Sequence, residues 1–143
     1  MTRISFYFNA DDALDLTHRL IKKARQQGLY CLVYTDDAAR AEQIDQHLWV
    51  ADPLGFVPHT LCEDGNANET PVLIGSRPDP LPRCNLLINL SAQPPACLGR
   101  FDRMIEIVTR ESADREKARE RYRHYQSRGY SLENHDLAAK AKV

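Results

Sequence analysis

The stretch "ISFYFNADDALDLTHRLIKKARQQGLYCLVY", residues 4–34, decides the fold of this 143-residue chain. Ile4–Phe8 is an apolar and aromatic run typical of a buried strand, and the polar turn after it can cap a helix. From Ala13 onward, apolar residues recur at helical spacing until Gly28, a residue type that commonly ends helices. A second apolar run at Leu29–Tyr34 completes the order strand, helix, strand.

The rest of the chain continues this alternation. A second helix, capped by Asp36 or Asp37, is expected where apolar residues recur at Ala41, Ile44 and Leu48. The remaining elements expected are strands at Val72–Ile74, Leu86–Leu90 and Ile105–Val108, a short helix at Leu98–Arg103, and a final helix from about Ala113 to Arg128 ended by Gly129.

Parallel strands need crossover connections, which place helices on both faces of the sheet. We therefore predict the α/β class: a single Rossmann-like three-layer α/β/α domain with a mainly parallel sheet over residues 1–132. Residues 133–143 are polar and alanine-rich, and we expect them to form a mobile C-terminal extension or a short added helix.

Composition narrows the class of protein. A hydrophobic fraction of 43% and a charged fraction of 27% are ordinary for a soluble globular domain. No run approaches the roughly 18 apolar residues that a membrane span needs, and the N-terminus lacks the layout of a signal peptide. We expect a cytoplasmic protein without membrane contact.

A nucleotide site is not expected, although the fold class suggests one. Such sites need glycines in the first strand-to-helix turn, where backbone amides approach phosphate. Here that turn is Asn9–Asp12, which has no glycine and two carboxylates. We therefore predict no P-loop and no cofactor.

Catalysis and metal binding find little support in the sequence. The four cysteines (Cys31, Cys62, Cys84 and Cys97) lack the spacing of zinc or redox sites, and the histidines are scattered. Cys31 and Cys84 lie in or beside apolar runs and are expected to be structural. A nucleophilic pair of Cys62 and His59 is an alternative, but no third residue supports it. We expect no metal site and no enzymatic activity of the isolated chain.

The segment "RERYRHYQSRGY", residues 119–130, is rich in basic and aromatic side chains, which the fold alone does not explain. Residues 109–130 hold seven bases and four acids, a net charge of +3, whereas the rest holds 12 bases and 16 acids, or −4. On a helix, Arg115, Arg119, Tyr122 and Arg123 share one stripe. The arginines could simply pair with Glu116 and Glu120. Alternatively, they bind an anionic partner, either a carboxylate-rich peptide or single-stranded nucleic acid.

Several motifs resemble one known family. "LW" at residues 48–49, "FVPH" at 56–59, "LLINL", "FDRMIEIV" and above all "ARERYRHYQSRGYSL" at 118–132 are similar to the chi subunit of the bacterial DNA polymerase III holoenzyme. The resemblance runs in order from the "SFYF" strand to Leu132.

This resemblance implies a non-catalytic accessory protein of the clamp loader that acts at the replication fork. Chi-like proteins bind the acidic C-terminal tail of single-stranded DNA-binding protein, join the clamp loader through a psi subunit in some bacteria, and meet DNA mainly indirectly. The residues carried over to the tail-binding pocket are Phe56, Val108, Arg115, Arg119, Tyr122 and Arg123. A direct single-stranded nucleic-acid binder that uses the same helix is the alternative.

Overall fold

The computed structural model of the protein describes residues 2–51, 60–61, 71–77, 81 and 83–138. Strands and helices alternate along these residues in the order β1 (Arg3–Ala10), α1 (Ala13–Gln26), β2 (Cys31–Tyr34), α2 (Ala38–Ala51), β3 (Thr60–Leu61), β4 (Val72–Gly75), β5 (Leu86–Asn89), β6 (Arg103–Thr109), α3 (Ser112–Ser127) and β7 (Ser131–Asp136). No helix in the described parts of the chain is long and apolar enough to cross a membrane.

The first strand, helix and strand form as the sequence predicts. The Asp12 carboxylate caps α1 by accepting hydrogen bonds from the amides of Leu14 and Asp15. Gly28 follows the helix with a φ of +74°, in the left-handed region that favours glycine. The cap of α2 is Asp37, whose carboxylate accepts a hydrogen bond from the amide of Ala39 at 2.9 Å.

The described strands form one sheet in the order β3-β4-β2-β5-β6-β1-β7, and every pairing among them is parallel. Apolar residues of α1 and α2 pack against one face of this sheet, and those of α3 pack against the other. The predicted three-layer α/β/α fold with a mainly parallel sheet is therefore confirmed.

A row of four residues in register crosses the sheet face on which α3 packs. Asn89 of β5 is aligned with Glu106 of β6, Glu106 with Phe6 of β1, and Phe6 with Asn134 of β7. Adjacent strands lie about 4.8 Å apart, so each member of this row neighbours the next. Phe6 and Asn134 of this row therefore lie on the same sheet face as α3.

Two elements differ from the sequence expectations. The helix expected at Leu98–Arg103 is only a 3₁₀ turn at Leu98–Arg100, because Arg103 already pairs with β1. The strand β7 was not expected, and it includes residues 133–136 of the predicted extension. The domain boundary predicted at residue 132 thus falls inside a strand that pairs with β1. Residues 139–143 of the predicted extension lie outside the described residues, as do residues 52–59 and 62–70.

Candidate functional site

The helix α3 carries four of the six side chains that the sequence predicts to bind a partner. Its first turn is held by Asp114, whose carboxylate accepts hydrogen bonds from the amide and the hydroxyl of Thr109 at 2.8 and 2.9 Å. Its buried residues are Ala118, Arg121 and Tyr125, which face the sheet. The residues beside this buried stripe form two flanks of the helix.

A cleft with a volume of about 170 Å³ lies along one flank of α3, where the helix crosses β6, β1 and β7. We call it the α3 cleft. It is lined by Phe6, Phe8, Val108, Arg115, Ala118, Arg119, Tyr122 and Asn134. The first strand and three consecutive elements near the C-terminus, β6, α3 and β7, therefore build one concave surface.

The interior of the α3 cleft is apolar and aromatic. Phe6 is buried, and its ring centroid lies 5.2 Å from that of Tyr122 in a tilted arrangement that aromatic pairs favour. Val108 is also buried beneath the helix. The hydroxyl of Tyr122 accepts a hydrogen bond from Nδ2 of Asn134 at 3.5 Å, which orients this ring towards β7. Such an interior fits an apolar ring better than a charged group.

The rim of the α3 cleft is electropositive. Arg115 and Arg119 stand at its edge, and Arg123 follows one turn later; all three are exposed. Within the described part of the chain, none of these guanidinium groups forms an ion pair, so the pairing with Glu116 and Glu120 that the sequence allowed is absent there. These groups are free to contact an external anion.

Six residues were assigned to this surface from the sequence. The structure brings four of them together in the α3 cleft: Val108, Arg115, Arg119 and Tyr122. Arg123 is exposed on the same helix but does not line the cleft. Phe56 lies outside the described residues.

The cleft residues of β1 and β7 were not predicted from the sequence. Phe6 and Phe8 alternate along β1 and therefore point to the same face, a signal that was available from their spacing. Asn134 gave no such signal, because its strand was not predicted.

A larger cavity, about 570 Å³, lies at the carboxyl ends of β1, β5 and β6. This is a topological switch point, since the helices after β1 and β6 lie on opposite faces of the sheet. Three of its carboxylates already have partners: Asp11 contacts Arg110 at 3.2 Å, Asp12 caps α1, and Asp114 accepts hydrogen bonds from Thr109. We take the α3 cleft as the candidate site because it combines an apolar slot with arginines that form no ion pair within the described residues.

A cluster of buried polar groups lies beneath α3, next to the cleft. The carboxylate of Glu106 is fully buried, and its Oε2 accepts hydrogen bonds from Nε of Arg121 at 3.1 Å, Oη of Tyr125 at 2.5 Å and Nδ2 of Asn89 at 2.9 Å. Burial raises the pKa of Glu106, and the charge of Arg121 opposes that shift. The signal for this cluster in the sequence is one acidic residue inside the apolar run of β6. No prediction was based on it.

The alternative catalytic pair, Cys62 and His59, lies outside the described residues. Of the described cysteines, Cys31 is buried, and burial raises its thiol pKa to about 12, as expected for a structural thiol. Cys84, also expected to be structural, is half-buried. Among the described residues no three metal-ligating side chains come together.

Comparison with known proteins adds independent information. Residues 1–133 match the family described as "DNA polymerase III chi subunit, HolC". A DNA polymerase III subunit chi of Pseudomonas aeruginosa is 36% identical over 141 residues, covering 96% of this chain and 98% of that protein. The subunit chi of Haemophilus influenzae is 34% identical over 115 residues, 78% of each chain. That of Escherichia coli is 29% identical over 108 residues, 75% of this chain and 74% of that protein.

Proposed function

This chain belongs to the family of DNA polymerase III chi subunits, and on that premise we propose that it is a non-catalytic accessory protein of DNA replication. It binds the acidic C-terminal tail of single-stranded DNA-binding protein in the α3 cleft, and it links that protein to the clamp loader of the polymerase. A psi subunit is a further proposed partner, for which we assign no contact residues. The observation that carries this proposal is an apolar aromatic slot directly beside arginines that form no ion pair with any described residue.

The chemistry of such a tail matches the two parts of the cleft. As the family resemblance implies, the tail ends in a phenylalanine with a free carboxylate, preceded by aspartates. Its ring enters the slot between Val108 and Tyr122, and Arg119 binds the terminal carboxylate. Arg115 and Arg123 attract the aspartates, because a guanidinium group forms charge-assisted hydrogen bonds with carboxylates.

The expected affinity follows from these contacts. Burying a phenylalanine side chain contributes ~1.5–3 kcal/mol, and a charge-assisted hydrogen bond contributes about 1.5–3 kcal/mol more. Ordering a flexible tail opposes binding. The result is a Kd on the order of micromolar. Phe56, which the resemblance adds to the pocket, is proposed to contact the same ring.

Direct binding of single-stranded nucleic acid by α3 is less well supported. That mode needs exposed aromatic ring faces on which bases stack. Tyr125 is fully buried, and Tyr122 packs against Phe6 inside the cleft. The exposed arginines could contact phosphates, but the tyrosines of α3 are not presented as stacking surfaces.

The decisive experiment is calorimetric titration of the tail peptide into wild-type protein and the variant Arg119→Ala. We expect the variant to bind about 10- to 100-fold more weakly, because one charge-assisted hydrogen bond is lost. Arg19→Ala is the matched control, since Arg19 is an exposed arginine of α1 on the other side of the sheet. It should bind like wild type.

The same titration with a labelled oligonucleotide separates the two partners. At moderate salt we expect tighter binding of the peptide than of the oligonucleotide. An unchanged peptide affinity in Arg119→Ala would refute the assignment of the α3 cleft. Tight oligonucleotide binding that is lost in Arg119→Ala would favour the nucleic-acid function instead.

A further inference from the structure

We propose that Glu106 is a positioning residue for the α3 cleft: together with Arg121 and Tyr125, it fixes the orientation of α3 and of the aromatic rings that form the cleft floor. None of these three side chains lines the α3 cleft itself. The inference rests on the proposed function, because the affinity for the tail peptide is one of the two quantities that test the role of Glu106.

The hydrogen bonds of Glu106 connect two layers of the fold at one atom. Oε2 of Glu106, on β6, accepts bonds from two side chains of α3, Arg121 and Tyr125. It also accepts a bond from Asn89 of β5, the residue aligned with Glu106 in the sheet. Arg121 additionally donates to the carbonyl of Ala92 at 3.3 Å. The buried face of α3 is thus held to the sheet by directional bonds as well as by apolar contact.

This cluster is in direct contact with the floor of the cleft. Phe6 is the residue aligned with Glu106 on β1, and its ring lies 6.0 Å from that of Tyr125 and 5.2 Å from that of Tyr122. Tyr125 therefore bonds Glu106 through its hydroxyl while its ring packs against Phe6. A short path of contacts leads from the buried carboxylate to the two rings that line the slot.

The rotation of α3 determines where the cleft residues lie. Successive residues of an α-helix are 100° apart, so Arg121 and Tyr125, four residues apart, share one face. Arg115, Arg119 and Tyr122 occupy the flank beside that face, over β1 and β7. Turning the helix would break both bonds to Glu106 before it could move these residues out of the cleft.

The placement of the cluster argues against a role in stability alone. A buried ion pair contributes little net stability compared with well-packed apolar side chains, because both charges lose their hydration. Apolar side chains dominate the opposite face of the sheet, against which α1 and α2 pack. The buried ion pair of the described residues lies on the face that carries the α3 cleft. On that face, the directional hydrogen bonds to Glu106 fix the orientation of α3.

The test uses Tyr125→Phe, which keeps the ring and removes the bond to Glu106. We expect about fivefold weaker binding of the tail peptide, the size of effect that residues behind a binding surface produce. We also expect shifted NMR ring resonances of Phe6 and Tyr122 in the unliganded protein. The control is Ile44→Val, a change in the buried stripe of α2 on the opposite face, which lowers Tm without altering affinity or these resonances.

A second variant, Arg121→Lys, keeps the charge but replaces the guanidinium fork, and we expect the same direction of change. If affinity falls in proportion to Tm in all three variants, including Ile44→Val, the cluster is only structural and the inference is overturned. If wild type fails to bind the peptide, the proposed function fails, and the ring resonances still decide the inference. Unchanged resonances of Phe6 and Tyr122 in Tyr125→Phe would then overturn it.

Discussion

Phe6 belongs to the hydrophobic core and to the α3 cleft at the same time. It is only 4% exposed, yet its ring lies under Tyr122 and lines the cleft. A ligand ring that enters the slot therefore contacts side chains already fixed by the core. We expect the cleft to bind its ligand with little rearrangement, which reduces the entropic cost of binding.

The terminal phenylalanine of the tail should consequently matter more than any one aspartate. Removing it should cost ~1.5–3 kcal/mol, because its burial is lost. Removing one aspartate should cost about 0.2–1 kcal/mol, because its contact with Arg115 or Arg123 is exposed to solvent. Calorimetry with the two shortened peptides measures both values. The reverse order would mean that charge alone governs recognition.

Some residues of the α3 cleft could be predicted from the sequence, and others could not. Arg119 and Tyr122 could be identified because helical spacing and family resemblance place them on one stripe. The alternation of Phe6 and Phe8 places both on one face of β1, but it does not distinguish Phe6 from an ordinary core residue, since its contact with Tyr122 depends on how β1 and α3 pack. Glu106 was visible as a charge within an apolar strand, but its partners come from two other elements.

At the scale of elements, β7 is the largest departure from the sequence expectations. Its sequence, Ser131–Asp136, has one apolar residue and no alternating pattern. It lies at an edge of the sheet and none of its residues is fully buried, so its strand conformation comes from parallel pairing with β1 instead of from burial. Central strands such as β2 and β5 were predictable because both of their faces are buried and their residues are apolar.

Truncation tests the role of β7 directly. A chain ending at Leu132 loses the pairing with most of β1 and loses Asn134 from the cleft. We expect Tm to fall by at least ~5 °C and the tail peptide to bind more weakly. A chain ending at Ala138 keeps the whole strand and is the matched control, with Tm and affinity expected to equal those of wild type. Identical behaviour of the two truncations would show that β7 contributes to neither property.

At the scale of the whole molecule, the fold resembles nucleotide-binding domains while the site does not. The switch point between β1 and β6 is where such domains hold phosphate. Here the first amides of α1 are capped by Asp12, and Asp11 pairs with Arg110. The fold class followed from the alternation of strands and helices, but a fold does not specify a function. The charge asymmetry of the chain instead directed attention to α3, which carries the candidate site.

Thermal denaturation with two ligands distinguishes binding in the α3 cleft from binding at the switch point between β1 and β6. A ligand that binds only the native state stabilises it by about 2.7 kcal/mol at roughly 100 times its Kd, which corresponds to a rise in Tm of ~5–10 °C for a domain of this size. We expect a rise of this size with the tail peptide and none with ATP at about 2 mM. In Arg119→Ala the peptide effect should shrink while the response to ATP stays absent. A rise with ATP that persists in Arg119→Ala would place a nucleotide at the switch point and would contradict the reasoning from its missing glycines and capped amides.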